Sequence, residues 1–118
     1  MLPPLKTQCV LLHPRAKRAD LTSIEMWCLS GYHVPDDMRK AVDAILPNGR
    51  SYVAYGTTEC MFNSIDLVKE KLGSVGELFP NTQVRIIDKE GRSLGVGKPG
   101  ELMVKKAFPF LVSVIDFL

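Results

Sequence analysis

The sequence predicts an α/β fold in which a parallel strand–helix–strand unit is followed by an antiparallel β segment. Two short apolar runs on either side of a stretch with helical periodicity predict the parallel unit. A later run rich in β-branched residues, joined to a second strand by a glycine-rich connection, predicts the antiparallel segment. At 118 residues, the chain is long enough for one small domain or for part of a larger one.

A helix is predicted near the start of the chain. Pro3-Pro4 can open it, because proline is tolerated in the first turn of a helix. The helix continues over residues 5–12 and ends at His13-Pro14, since a residue that precedes proline disfavours helical dihedrals. The short basic cluster Arg15-Ala16-Lys17-Arg18 then predicts a solvated loop, because four residues fall short of a usual basic tract.

The parallel unit begins with an apolar run at residues 24–29, which suits a buried strand that ends before Ser30-Gly31. Val34-Pro35-Asp36-Asp37 indicates a helix start, with proline just inside it and acids where the helix dipole favours them. Apolar residues then recur at helical spacing: Met38, Val42, Ile45 and Leu46. Pro47-Asn48-Gly49 ends this helix, and a second short strand is predicted at residues 52–55.

The antiparallel segment is predicted in the last third of the chain. Residues 82–88 alternate partly and are rich in β-branched side chains. Lys89-Glu90-Gly91-Arg92 makes a turn, and residues 100–105 supply the partner strand. We place the junction between the two parts near residues 73–80.

The composition, with 46% hydrophobic and 24% charged residues, is typical of a soluble globular protein. Its formal net charge of +2 is too small and too evenly spread to predict a nucleic-acid partner. Cys9, Cys28 and Cys60 lack the close spacing of zinc sites and favour a reducing, intracellular location. We expect no signal peptide and no membrane span, since the apolar end at residues 107–118 is shorter than the ~18–20 residues a spanning helix needs.

The most informative segment is Tyr55-Gly56-Thr57-Thr58-Glu59, directly after a predicted strand of a parallel sheet, where ligands gather. Gly56 lets the backbone approach a ligand closely, while Thr57 and Thr58 offer hydroxyl and amide donors to a phosphate oxygen. Glu59 is a hard oxygen ligand suited to Mg²⁺, and Tyr55 has a flat face for a nucleotide base. Taken alone, the motif is also typical of a strand end, a glycine turn and a polar helix start.

Several further motifs follow in a fixed order: Ser30-Gly31 upstream, then Gly73-Ser74-Val75-Gly76-Glu77, Pro80-Asn81-Thr82 and Gly100-Glu101-Leu102 downstream. In order and spacing, this series resembles the large N-terminal domain of the adenylate-forming superfamily of acyl-CoA synthetases, coumarate-CoA ligases and beetle luciferases. The resemblance covers about residues 2–111. It implies a partial AMP-binding domain at residues 1–111, an incomplete fragment of a larger domain, followed by a divergent apolar tail at residues 112–118.

The resemblance also implies which residues hold the adenine of ATP or AMP. Tyr55 would pack against the ring, and Gly56 would line the same pocket. Gly31 would belong to the loop that borders both adenine and the acyl tunnel. In this chain that loop carries Tyr32 and His33, where the family has small residues, so the acyl tunnel could be narrowed or the packing of adenine altered. A catalytic role for His33, which titrates near neutral pH, stands as an alternative to a loop or packing role.

The phosphate side of the implied site lies at Thr57, Thr58 and Glu59. Thr58 would bind the α-phosphate, and Glu59 would coordinate Mg²⁺. The implied reaction joins a carboxylic acid to ATP, giving an acyl-adenylate and pyrophosphate, after which the thiol of coenzyme A displaces AMP.

Other parts of the family's site have no counterpart in these 118 residues. They are the phosphate-binding loop, the Thr-Gly-Asp motif, the hinge and the small domain with its catalytic lysine. We therefore expect a truncated fragment of an ATP-dependent carboxylate–CoA ligase that is inactive alone. The alternatives are a non-catalytic nucleotide-binding or regulatory protein derived from that family, or an unrelated small α/β domain.

The acid itself is left open between fatty and aromatic acids. The expected location is cytoplasmic or peroxisomal, although Asp116-Phe117-Leu118 is not the Ser-Lys-Leu peroxisomal signal.

Overall fold

The structure is a computed structural model that describes residues 1–68 and 73–106. Along the chain the elements are α1 (Pro4–Leu12), a 3₁₀ turn (Ala16–Arg18), β1 (Met26–Leu29), α2 (Asp36–Ile45), β2 (Arg50–Thr57), β3 (Met61–Ile65), β4 (Glu77–Leu78), β5 (Thr82–Ile87) and β6 (Glu101–Lys106). The predicted apolar tail lies outside the described residues.

The strands form a mixed four-stranded sheet, in the order β1-β2-β3-β4, and a separate β5–β6 pair. Strands β1 and β2 are parallel and α2 connects them, which confirms the predicted strand–helix–strand unit. Strands β5 and β6 pair antiparallel, with Thr82 opposite Lys106 at one end and Ile87 opposite Glu101 at the other. The predicted α/β fold with an added antiparallel segment is confirmed.

The core lies between α2, α1 and the β1 end of the sheet. Its buried residues are Trp27, Leu29, Val42 and Leu46, and partly buried apolar side chains surround them. Trp27 and Leu29 are two apart on β1, so they share a face, while Val42 lies on α2 and Leu46 directly follows the helix. The buried indole of Trp27 donates to Thr7 Oγ1 at 3.3 Å, which fastens α1 to β1.

Two element boundaries differ from the sequence-based predictions. Helix α2 begins at Asp36, so Pro35 stands just before the helix rather than inside it, with a φ of −64° and an extended ψ of 145°. Strand β2 does not stop before Gly56 but continues to Thr57, because β3 pairs with its last four residues.

Strands β3 and β4 were not predicted at all. The segment Met61–Ile65 has no apolar–polar alternation, and its buried members, Asn63 and Ser64, are both polar. The predicted junction at residues 73–80 contains β4, which completes the first sheet before the chain enters β5. Within the described residues, no helix has the length and apolar character needed to cross a membrane.

Candidate functional site

A pocket lies at the carboxyl ends of the two parallel strands. The register places Leu29, the last residue of β1, beside Val53 on β2. The residues that follow these two positions therefore lie close together at one edge of the sheet. The pocket has a volume of about 540 Å³, within the usual range for small-molecule sites. Gly31, Tyr55 and Gly56 all line it, so three of the predicted nucleotide-binding residues come together there.

Gly31 lies at an open edge of this pocket. Its φ is +87°, a left-handed conformation that residues with a Cβ rarely adopt. A Cβ built at this position would meet no atom within 4 Å. Glycine is therefore required here by backbone conformation, while the space beside it stays free for a ligand.

Gly56 is required for a different reason. A Cβ at this position would lie 2.1 Å from the carbonyl oxygen of Met61 on the neighbouring strand. The pairing of β2 with β3 also shifts register between Tyr55 and Gly56, as in a β-bulge. The close approach of β3 thus explains Gly56 without any ligand.

Tyr55 presents a half-buried ring to the pocket. Burial raises the pKa of its phenol, and the neighbouring Cys60 thiol raises it further. The side chain is therefore neutral near physiological pH and brings an aromatic ring to the pocket lining.

The remaining predicted residues lie just beyond the pocket, where β2 turns into β3. Thr57 ends β2, and its Oγ1 accepts a hydrogen bond of 3.2 Å from the backbone N–H of Cys60. Thr58 is exposed and Glu59 is half-buried in the turn that follows. None of these three residues lines the described pocket. The structure thus groups Gly31, Tyr55 and Gly56, with Thr57, Thr58 and Glu59 on the adjoining turn.

Tyr32 and His33 also line the pocket, next to Gly31. Both are exposed, and Tyr32 keeps 85% of its surface accessible. Tyr32 therefore borders the mouth of the pocket and does not fill its interior.

Sequence reasoning missed Arg39, a pocket-lining residue on α2. Only 5% of Arg39 is exposed, and its guanidinium lies 2.6 Å from the carboxylate of Asp66. A signal was available, since Arg39 stands three residues before Val42 and so falls on the buried face of the helix. In the described residues, no group of three or more His, Cys, Asp or Glu side chains could hold a metal ion.

The chain is similar to proteins of one family over nearly its whole length. The model of the AMP-binding enzyme family matches residues 1–111. A mitochondrial medium-chain acyl-CoA ligase of Mus musculus is 30% identical over 102 residues, covering 81% of this chain and 17% of the relative. A feruloyl-CoA synthase of an Amycolatopsis species is 33% identical over 106 residues, covering 86% of this chain and 21% of the relative.

Solved structures also superpose on most of this chain. The luciferase-like enzyme of the nonluminescent mealworm Zophobas morio superposes with a TM-score of 0.80 at 26% identity, covering 89% of this chain and 27% of that one. The anthranilate CoA ligase AuaEII, solved with anthranoyl-AMP, superposes with a TM-score of 0.83 at 16% identity, covering 92% of this chain and 21% of the ligase; this likeness concerns the fold alone.

The chain spans about a fifth of the length of the curated relatives it matches. It belongs to the AMP-binding enzyme family of adenylate-forming ligases.

Proposed function

We propose that this chain carries the nucleotide-binding part of an ATP-dependent carboxylate–CoA ligase. The observation that carries the proposal is the shared pocket of Gly31, Tyr55 and Gly56 at the ends of two adjacent parallel strands. In the parent reaction, a carboxylic acid and ATP form an acyl-adenylate and pyrophosphate, and coenzyme A then displaces AMP. The named activities of the mouse and Amycolatopsis relatives, on a medium-chain and an aromatic acid, support this class of substrate.

The adenine would lie against Tyr55. Its ring is half-buried and neutral, so one face can stack on a base with little loss of its own hydration. The open side of Gly31 leaves room for the edge of the base, because no atom occupies the space where a side chain would begin. Gly56 would contribute backbone only, since β3 occupies the position of a Cβ.

The phosphates would lie along the turn after β2. Thr58 is exposed there, so its hydroxyl can donate to the α-phosphate. The oxygen of Thr57 already accepts from Cys60, yet its hydroxyl proton stays available to a phosphate. Glu59 supplies a carboxylate for Mg²⁺, which usually binds through one or two carboxylates together with substrate phosphates. When bound, Mg²⁺ would neutralise charge that develops on the phosphates.

We also propose that the 118-residue chain does not turn over alone. Among the described residues that line the pocket, Arg39 is the only permanent cation, and Asp66 neutralises it. The described pocket therefore offers little unpaired positive charge to a pyrophosphate leaving group. A coupled pyrophosphate assay with medium-chain and cinnamic-type acids is expected to give no signal above background, and steady turnover by purified chain would refute this part.

Isothermal titration with MgATP tests the binding site. We expect binding that the variant Tyr55→Leu weakens roughly tenfold, the order of a lost base–aromatic contact. Tyr52→Leu is the matched control, because Tyr52 is also half-buried on β2 but does not line the pocket. Magnesium triphosphate, which has no base, should bind both variants and the wild type equally. Absence of MgATP binding, or equal losses in the two variants, would refute the assignment.

A further inference from the structure

Lys106, the last residue of β6, joins the small β5–β6 sheet to the turn between β2 and β3. Its ammonium donates to the carbonyl oxygen of Cys60 at 2.8 Å and also to the carbonyl oxygen of Phe62. The two acceptors lie 46 and 44 residues away in sequence. Phe62 lies on β3 of the other sheet, and Cys60 lies in the turn of Thr58 and Glu59 directly before β3 begins.

The two carbonyl groups belong to the residues on either side of Met61, where β3 begins. Between them stands Met61, whose φ of +54° is the left-handed conformation that reverses the chain direction. On the other side of the turn, the amide of Cys60 is held by Thr57 Oγ1. Cys60 is thus fixed at both its N–H and its carbonyl, and its side chain is buried.

We infer that Lys106 is a positioning residue for the turn of Thr58 and Glu59, which would hold the nucleotide phosphates, and this inference rests on the function proposed above. A hydrogen bond from an ammonium to a carbonyl is stronger than one between neutral groups. Two such bonds from one half-buried side chain hold the backbone that follows Glu59 against the second sheet. Without them, the side-chain hydrogen bond that still holds this turn within residues 1–68 and 73–106 is that of Thr57, and Thr58 and Glu59 lose a defined position.

Lys105 provides a matched control. It is the preceding residue on β6, carries the same charge, and pairs with Gln83 at the neighbouring register position. Successive residues of a strand point to opposite faces, and Lys105 is exposed. Lys105→Met and Lys106→Met therefore make the same chemical change on one strand, with only the second removing bonds to the turn.

Hydrogen–deuterium exchange of the ligand-free chain tests the contact directly. We expect Lys106→Met to speed exchange of the amides in residues 58–63 by roughly tenfold or more, as expected for loss of charge-assisted bonds. Lys105→Met should stay within about twofold of the wild type, and Lys106→Arg, which keeps donors, should stay closer to the wild type than Lys106→Met. Unchanged exchange in Lys106→Met would overturn the inference.

MgATP affinity separates positioning from general stability. We expect Lys106→Met to weaken MgATP binding roughly tenfold at a temperature well below its unfolding midpoint, with partial recovery in Lys106→Arg. Faster exchange across the whole chain together with unchanged affinity would mean a merely structural role and would overturn the inference. If the wild type binds no MgATP, the proposed function fails, whereas the exchange comparison still decides whether Lys106 holds the turn.

Discussion

The guanidinium of Arg39 and the carboxylate of Asp66 form a buried ion pair at 2.6 Å, with 6% of each side chain exposed. The pair links the middle of α2 to the residue that directly follows β3, across 27 positions of sequence. It therefore holds α2, which lines the candidate nucleotide pocket, against the β2–β3 hairpin that carries Thr58 and Glu59 in its turn.

Breaking this pair from one side should be costly. Arg39→Met removes the guanidinium that lies 2.6 Å from this buried carboxylate, so we expect a loss of ~3–5 kcal/mol in the free energy of unfolding. The double variant Arg39→Met/Asp66→Leu should recover much of that loss, because no buried charge is left. Urea denaturation measures both, with Lys40→Met on the exposed side of α2 as control. A loss in Arg39→Met as small as that in Lys40→Met would contradict the prediction.

The two pocket glycines should respond differently to alanine. Gly31→Ala has free space for its methyl group and loses only the left-handed backbone preference, ~1–2 kcal/mol. Gly56→Ala places a methyl group against the Met61 carbonyl, so β2 and β3 must separate, and the cost should reach or exceed the ~1–3 kcal/mol typical of overpacking. Urea midpoints in the two variants provide the comparison. Equal midpoints would contradict the predicted clash between a methyl group at Gly56 and the Met61 carbonyl.

Glu59→Gln tests the proposed magnesium ligand. The amide keeps the size of the side chain but removes its charge, so MgATP should bind more weakly, by roughly tenfold, while ATP in excess EDTA should bind both proteins alike. Folding should change little, because Glu59 is only half-buried. Glu77→Gln on β4 is the charge-matched control. Equal magnesium dependence in the wild type and Glu59→Gln would remove Glu59 from the site.

The β5–β6 connection should weaken in acid. Asp88 accepts hydrogen bonds from the backbone N–H groups of Arg92 and Glu90 and from the Arg92 side chain, at 2.8–3.0 Å. The backbone bond from Arg92 leads the effects that lower the pKa of Asp88 below its ordinary 3.8. A lowered folded-state pKa means that the stabilisation is present above about pH 4 and is lost as the pH falls through the folded-state pKa.

Carboxyl NMR can follow that titration. Asp88 is expected to titrate below 3.8, and Asp88→Asn should abolish the acid-dependent loosening of the turn. Titration of Asp88 at or above 3.8 would count against these bonds.

Local sequence patterns were sufficient for six of the described elements, and the prolines near its two ends predicted α1. Helix α2 and strands β1, β2, β5 and β6 each carry their own period or β-branched content, so a short window predicts them. The position of Tyr55 and Gly56 near the carboxyl end of β2 was predictable for the same reason. Strand β3 was not, because Asn63 and Ser64 are buried polar residues whose burial depends on neighbours far along the chain.

What a linear pattern carries, then, is the identity of most elements, the motif at residues 55–59 and its resemblance to one family. Long-range geometry decides the rest: which predicted residues share a pocket, why a side chain at Gly56 meets β3, and how Arg39 and Lys106 reach partners 27 and more than 40 residues away. These contacts depend on distances in space between segments that no local period relates. They exist only once the two sheets and α2 have packed together.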